Sequence, residues 1–116
     1  MQESTGQYIT VDEMARLLEQ DAAVTLIDAR TAEEFARGHV PGAMNVAIAD
    51  LVDFARSRGN PLNELVVTMC GSGGRGEKAA GILTAEHVGN VRVLQGGLAA
   101  WSNAGFPVVG SDRQGS

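Results

Sequence analysis

The sequence predicts a single α/β domain built on a mainly parallel sheet. Three observations carry that expectation. Strand-like and helix-like segments alternate along the chain, as in successive βα units. Residues 65–69, LVVTM, form an almost unbroken apolar run, which suits a strand covered on both faces by helices. The length of 116 residues allows one domain with a sizeable core and is too short for two.

Each element has a local reason. Tyr8 and Ile9 read as a short strand. Thr10 and Glu13 have the spacing of a capping box, so a helix starts there. Val11, Met14, Leu17 and Leu18 give that helix one apolar stripe. Residues 24–27 are a β-rich run ending at Asp28-Ala29-Arg30. Thr31 and Glu34 repeat the capping box, and Gly38 stops the short helix it opens. Pro41-Gly42 marks a turn, with a brief strand expected at Asn45-Val46. Ile48, Leu51, Val52 and Ala55 recur at helical spacing until SRGNP, residues 57–61, breaks the pattern. After residues 65–69 and a glycine-rich stretch, Ala79, Ile82 and Leu83 mark a helix face. Residues 91–94 are a further strand. Leu98, Ala100, Trp101 and Ala104 form a last short helix. Gly105 ends it, Phe106 packs back on it, and Pro107 prevents its continuation. Residues 1–7 and 111–116 are small and polar and read as tails around a core of about 8–109. No internal repeat or low-complexity segment is visible.

Composition narrows the function classes. Hydrophobic residues make up 44% and charged residues 20%, a globular balance. The net charge of −5 disfavours nucleic-acid binding and anionic membrane surfaces. No stretch approaches the roughly 20 apolar residues of a membrane span, and MQESTGQ lacks the basic and apolar regions of a signal peptide. A cytoplasmic location is therefore expected. One cysteine excludes an internal disulfide and a CxxC pair. His39 and His87 share no ligand spacing with each other or with Cys70, so no metal site is expected.

The lone thiol then raises a question. It sits in VVTMCGSGGRGEKAAG, residues 66–81, after the best strand and before a helix. In open α/β sheets, ligands bind beyond the carboxyl ends of the strands. Asp28, Cys70 and Gln95-Gly96-Gly97 all fall there, on one rim. The four glycines of CGSGGRG let the backbone curl with several N–H groups inward, a nest that binds anions. The following helix adds its positive end. Helix N-termini and nearby cations favour the thiolate, which is the nucleophile, and Arg75 is the nearest cation in sequence. A lone cysteine after a strand is more often a small buried apolar residue. The nest, Arg75 and the helix start together reverse that weighting, since core packing needs no donors beside a thiol. Such a cup holds an anionic substrate, and then a negative group on Cys70 itself: a persulfide or a phosphocysteine.

These motifs together resemble the single-domain rhodanese family of sulfurtransferases. LIDAR with EEFARGHVPGAMNV is similar to its N-terminal signature, VVTMCGSGGRGEKAAGIL to its active-site loop, and NVRVLQGGLAAW with GFPV to its C-terminal signature. The resemblance covers roughly residues 8–109. It implies a three-layer α/β/α sandwich around a five-stranded, mainly parallel sheet. It implies that Cys70 is the catalytic, sulfur-carrying nucleophile. Gly71, Ser72, Gly73, Gly74, Arg75 and Gly76 would then bind the substrate and hold the persulfide. The loop of six residues, 70–75, has the length associated with sulfur transfer; the related dual-specificity phosphatases and arsenate reductases use one residue more. No cofactor is implied. The partners implied are a small-molecule or protein sulfur donor, such as thiosulfate, and a thiol or cyanide acceptor from outside the chain. A second reading is a low-turnover persulfide carrier or sensor fed by a partner protein; a phosphatase or arsenate reductase is a third. Residues 71 and 76, often a long polar residue and a hydroxyl residue in the family, are both Gly here.

The remaining rim residues have structural readings beside functional ones. Arg75 contacts the substrate anion or braces the loop against a carboxylate; its uncharged sequence neighbours favour substrate contact. Asp28 and Arg30 are expected to support the loops through an ion pair or hydrogen bonds, with Arg30 as a second anion contact the lesser option. His39 is expected to satisfy backbone groups in a turn, and His87 to face solvent at a helix end. Trp101 reads as a core anchor, and Gly96-Gly97 as a place of close packing beside the active loop.

Overall fold

Leu65–Met69 (β4) is the middle strand of the molecule, as its unbroken apolar character requires. The computed structural model describes residues 7–20, 22–58, 64–71 and 74–110. Around β4 lie Tyr8–Ile9 (β1), Val24–Asp28 (β2), Met44–Asn45 (β3) and Val91–Leu94 (β5). The five strands run in the order β1-β5-β4-β2-β3, and every neighbouring pair is parallel. Parallel pairing demands crossovers. They are supplied by Val11–Glu19 (α1), Ala32–Arg37 (α2), Leu51–Arg58 (α3) and Arg75–Ala85 (α4), with Gly97–Asn103 (α5) closing the series.

The strands' period of two sends alternate side chains into two separate cores. On one face Ile27 and Val66 pack with Leu51 and Ala55 of α3 and Ala79 and Leu83 of α4. On the other, Leu26, Val67, Met69 and Leu94 pack with Met14 of α1 and Trp101 of α5. The result is the expected α/β/α sandwich.

Both capping boxes form. Thr10 Oγ1 accepts from Glu13 N at 3.1 Å while Glu13 Oε1 accepts from Thr10 N at 3.0 Å. At α2 the reciprocal pair between Thr31 and Glu34 measures 3.2 and 2.9 Å. Gly105, at φ 89°, ends α5, and Phe106 folds back with its ring 4.8 Å from that of Trp101.

Three details differ from the local expectations. β3 occupies Met44–Asn45, one residue earlier than expected, because those residues pair with Ile27 and Asp28 of β2. Ile48–Asp50 is a tighter 3-10 turn leading into α3, and α3 runs through Ser57 and Arg58 before the remainder of SRGNP passes outside the described residues. The chain also returns beyond Pro107, where His39 and Val109 exchange two backbone hydrogen bonds of 2.7 and 2.9 Å. Apart from Gln7, the expected tails lie outside the described residues.

Candidate active site

Cys70 follows the last residue of β4, and α4 begins at Arg75 with Gly74 as its N-cap. Cys70 therefore stands at the end of the central strand, five positions before the first residue of an 11-residue helix. Cys70 is 3% exposed, yet it belongs to neither apolar core. It lies below the surface. The start of α5 packs against its backbone. Leu98 N donates to the Cys70 carbonyl at 2.8 Å, and Ala99 N donates to the Gly71 carbonyl at 2.9 Å. First-turn N–H groups of a helix have no partner within it, and here two of them hold the loop down.

Gly97 makes that approach possible. It sits at φ 60°, and a Cβ there would lie 2.3 Å from the Cys70 carbonyl oxygen and 2.8 Å from that of Gly71. Gly96, at φ 77°, is the left-handed N-cap of α5.

Thr68 supports the loop from the strand side. Fully buried, it donates its hydroxyl to the Gly76 carbonyl at 2.7 Å. Gly76 itself turns toward the sheet, where a Cβ would meet Val93 Cγ1 at 3.3 Å and Met69 Cα at 3.4 Å. Gly71 and Gly74 are the opposite case, since a Cβ at either would meet nothing within 4 Å. Ser72 and Gly73, expected to line the same cup, lie outside the described residues.

Asp28 and Arg30 form a buried ion pair at the end of β2. Arg30 Nε and Nη2 donate to the two carboxylate oxygens of Asp28 at 2.9 and 2.8 Å, and Nη2 also donates to the Gly38 carbonyl at 2.6 Å. A bidentate pair of this kind fixes orientation as well as charge. Ala29 N donates to the Met69 carbonyl at 2.9 Å, tying this turn to the residue before Cys70. Asn45, which sequence reasoning placed only in a strand, donates its amide to the Asp28 and Arg30 carbonyls at 3.1 and 2.9 Å.

Arg75 departs from the sequence expectation. Its sequence neighbours are uncharged, but Glu34 of α2 reaches it across the fold. Nη1 and Nη2 donate to the two Glu34 oxygens at 2.9 and 3.2 Å. The hydrogen bonds from Arg75, followed by that from Thr31 N, hold the Glu34 carboxyl down to about 2. The same Glu34 hydrogen bond is the main cause that raises Arg75. The loop arginine is thus braced by a carboxylate, the alternative its sequence neighbours disfavoured. In the sequence Glu34 stood out as a capping-box residue and as part of EEFARGHVPGAMNV, and neither pointed to Arg75.

The other residues are simply placed. His39 stacks on Phe35 with ring centroids 3.7 Å apart, and its Nδ1 lies 2.7 Å from the Phe35 carbonyl. His87 is exposed just past α4 with φ 68°. Trp101 is 2% exposed, and its indole N–H donates to the Pro107 carbonyl at 2.8 Å. Among the described residues no group of three or more His, Cys, Asp or Glu could hold a metal ion.

A parallel α/β sandwich with a lone cysteine in a pinned loop, at the carboxyl end of its central strand, defines a class of cysteine-loop domain. Within that class the chain belongs to the rhodanese-like domain family, whose pattern matches residues 10–104. It is 33% identical over 101 residues to a sulfurtransferase of Allochromatium vinosum, covering 87% of this chain and 92% of that protein. It is 36% identical over 103 residues to the tRNA uridine(34) hydroxylase of Staphylococcus carnosus. That match covers 85% of this chain, which spans only 32% of the longer protein. The crystal structure of the Alr3790 protein from Anabaena superimposes with a TM-score of 0.80 at 30% identity, covering 88% of this chain and 82% of that one.

Proposed function

We propose that this domain is a sulfurtransferase that carries sulfane sulfur as a Cys70 persulfide, from a donor such as thiosulfate to a thiol or cyanide. The observation that carries the reading is the position of the chain's one cysteine: at the carboxyl end of β4, five positions before the first residue of α4, with its carbonyl held by α5. Membership in the rhodanese-like family supports it.

The chemistry has two halves. The Cys70 thiolate attacks the outer sulfur of thiosulfate. The S–S bond of the donor breaks, and sulfite leaves with the electron pair. A thiolate or cyanide then attacks the outer sulfur of the persulfide, and Cys70 departs as thiolate. The chain has no second cysteine to resolve the persulfide, so the acceptor comes from outside. The loop N–H groups of residues 71–76 are the persulfide's proposed partners, including Ser72 and Gly73. A cytoplasmic location belongs to the same proposal. It rests on the chain's cysteine usage, and no described helix is long and apolar enough to cross a membrane. The hydroxylation named for the longer relatives is not carried over, since this chain matches about a third of them.

Intact-mass spectrometry tests the reading. Incubation with thiosulfate or with an alkyl persulfide adds about 32 Da, one sulfur atom held covalently on the nucleophile. Cyanide or dithiothreitol removes it, and Cys70→Ser never acquires it. Equal turnover by wild type and Cys70→Ser would overturn the assignment.

A further inference from the structure

The six-residue loop holds one cation, Arg75, and that cation is already occupied. Glu34 takes it bidentately at 2.9 and 3.2 Å. Glu34 is not a loosely tethered surface acid. Its Oε1 also accepts from Thr31 N at 2.9 Å and from Thr31 Oγ1 at 3.2 Å, so the N-terminal turn of α2 aims it. The second arginine of the rim, Arg30, is committed to Asp28 and to the Gly38 carbonyl. Gly71 and Gly74 add no side chain to the loop, and a Cβ at either would meet nothing within 4 Å. Both rim arginines are charge-compensated, and the whole chain carries −5. A doubly charged donor gains little here from Coulomb attraction.

We propose that Glu34 is a specificity-determining residue: by holding the Arg75 guanidinium, it withholds the loop's cation from dianionic donors and leaves Cys70 to donors whose sulfur rides on a thiol. This rests on the reading of Cys70 as the sulfur acceptor. The donor class is an alkyl persulfide, R–S–SH. The Cys70 thiolate attacks its outer sulfur, the donor's S–S bond breaks, and R–S⁻ leaves with the electron pair. The proton stays on the transferred sulfur, so Cys70 becomes Cys70–S–SH. Glu34 itself touches none of these atoms; it acts through Arg75.

The experiment compares loading of Cys70 from thiosulfate and from 2-hydroxyethyl persulfide by intact mass, in wild type, Glu34→Gln and Glu33→Gln. Gln keeps an oxygen for the Thr31 cap and removes the charge that holds Arg75. In Glu34→Gln, kcat/KM for thiosulfate should rise about ten-fold relative to the persulfide, the scale of one released charge acting on a dianion near a protein surface. The gain should lie in KM and should shrink at ~0.5 M salt. Glu33→Gln changes net charge equally on the exposed side of the same helix turn, and its donor ratio should stay at the wild-type value. If Glu34→Gln shifts both donors equally, or leaves the ratio unchanged, the inference is overturned while the sulfur-transfer reading stands. Should Glu34→Gln be unfolded by circular dichroism, Glu34→Asp, one methylene short of Arg75, should shift the ratio in the same direction; an unchanged ratio there also overturns it. Failure of wild type to load from either donor would sink the sulfur-transfer reading itself.

Discussion

Gly97 contributes to the site by having no side chain. Its φ of 60° and the 2.3 Å separation from the Cys70 carbonyl oxygen exclude a Cβ on two independent grounds. Gly97→Ala should cost about 2 kcal/mol or more in urea denaturation, the usual scale of a strained backbone position combined with a clash. It should also slow sulfur loading, because Leu98 N and Ala99 N can no longer reach the loop carbonyls. Gly71→Ala is the matching contrast. Its Cβ meets nothing within 4 Å, so stability should change by no more than about 0.5 kcal/mol. Unchanged stability in both variants would show that α5 does not hold the loop down. The GG pair was visible in the sequence as a close-packing signal. Its place beside the active loop was expected; that it meets the Cys70 and Gly71 carbonyls was not, because Gly97 and Cys70 are brought together only by the pairing of β5 with β4.

At the scale of the element, α2 does two jobs with one carboxylate. As a capping-box residue Glu34 satisfies Thr31 N, and as a counterion it holds Arg75. Its ordinary value of 4.5 falls to about 2 in the folded state, chiefly through Arg75. A depressed acid contributes stability that is complete above its unfolded value and is lost as pH falls toward the folded one. The pair's contribution should therefore be whole above about pH 4.5 and vanish by about pH 2. Glu13, lowered by Thr10, and Glu64, lowered by Thr25 and Arg58, act in the same acid direction. The difference between wild type and Glu34→Gln isolates this one pair. Urea midpoints taken from pH 5 to 2 should converge for the two proteins at the acid end; curves that stay parallel would refute the linkage. The pair is partly exposed, with side-chain exposures of 42% and 36%, so solvent screening keeps its contribution modest. The capping box was legible because its partners are three residues apart. Its second use was not, because Arg75 is 41 positions away.

For the whole molecule, the sheet separates stability from chemistry. The two cores fill the faces of the sheet, while Cys70, Asp28 and the start of α5 share the rim at its carboxyl end. Leu83, fully buried on the α3–α4 side, belongs only to the first of these. Leu83→Ala should lose about 2–5 kcal/mol of stability through lost burial and a residual cavity. Sulfur loading per folded molecule should stay at the wild-type rate, measured well below the new melting midpoint; a lower rate would mean that the core and the rim are coupled. By itself the sequence determined the class of fold, the order of the elements, both capping boxes and the location of the thiol at a strand's carboxyl end. All of these follow from neighbours within a few positions, where periodicity and capping act. Only the tertiary structure decided that Glu34 answers Arg75, that the start of α5 is hydrogen-bonded to the loop carbonyls, that Cys70 is nearly covered, and that Val109 returns to His39. Those contacts depend on strand order and crossover geometry, which set distances between residues that the chain alone leaves unrelated.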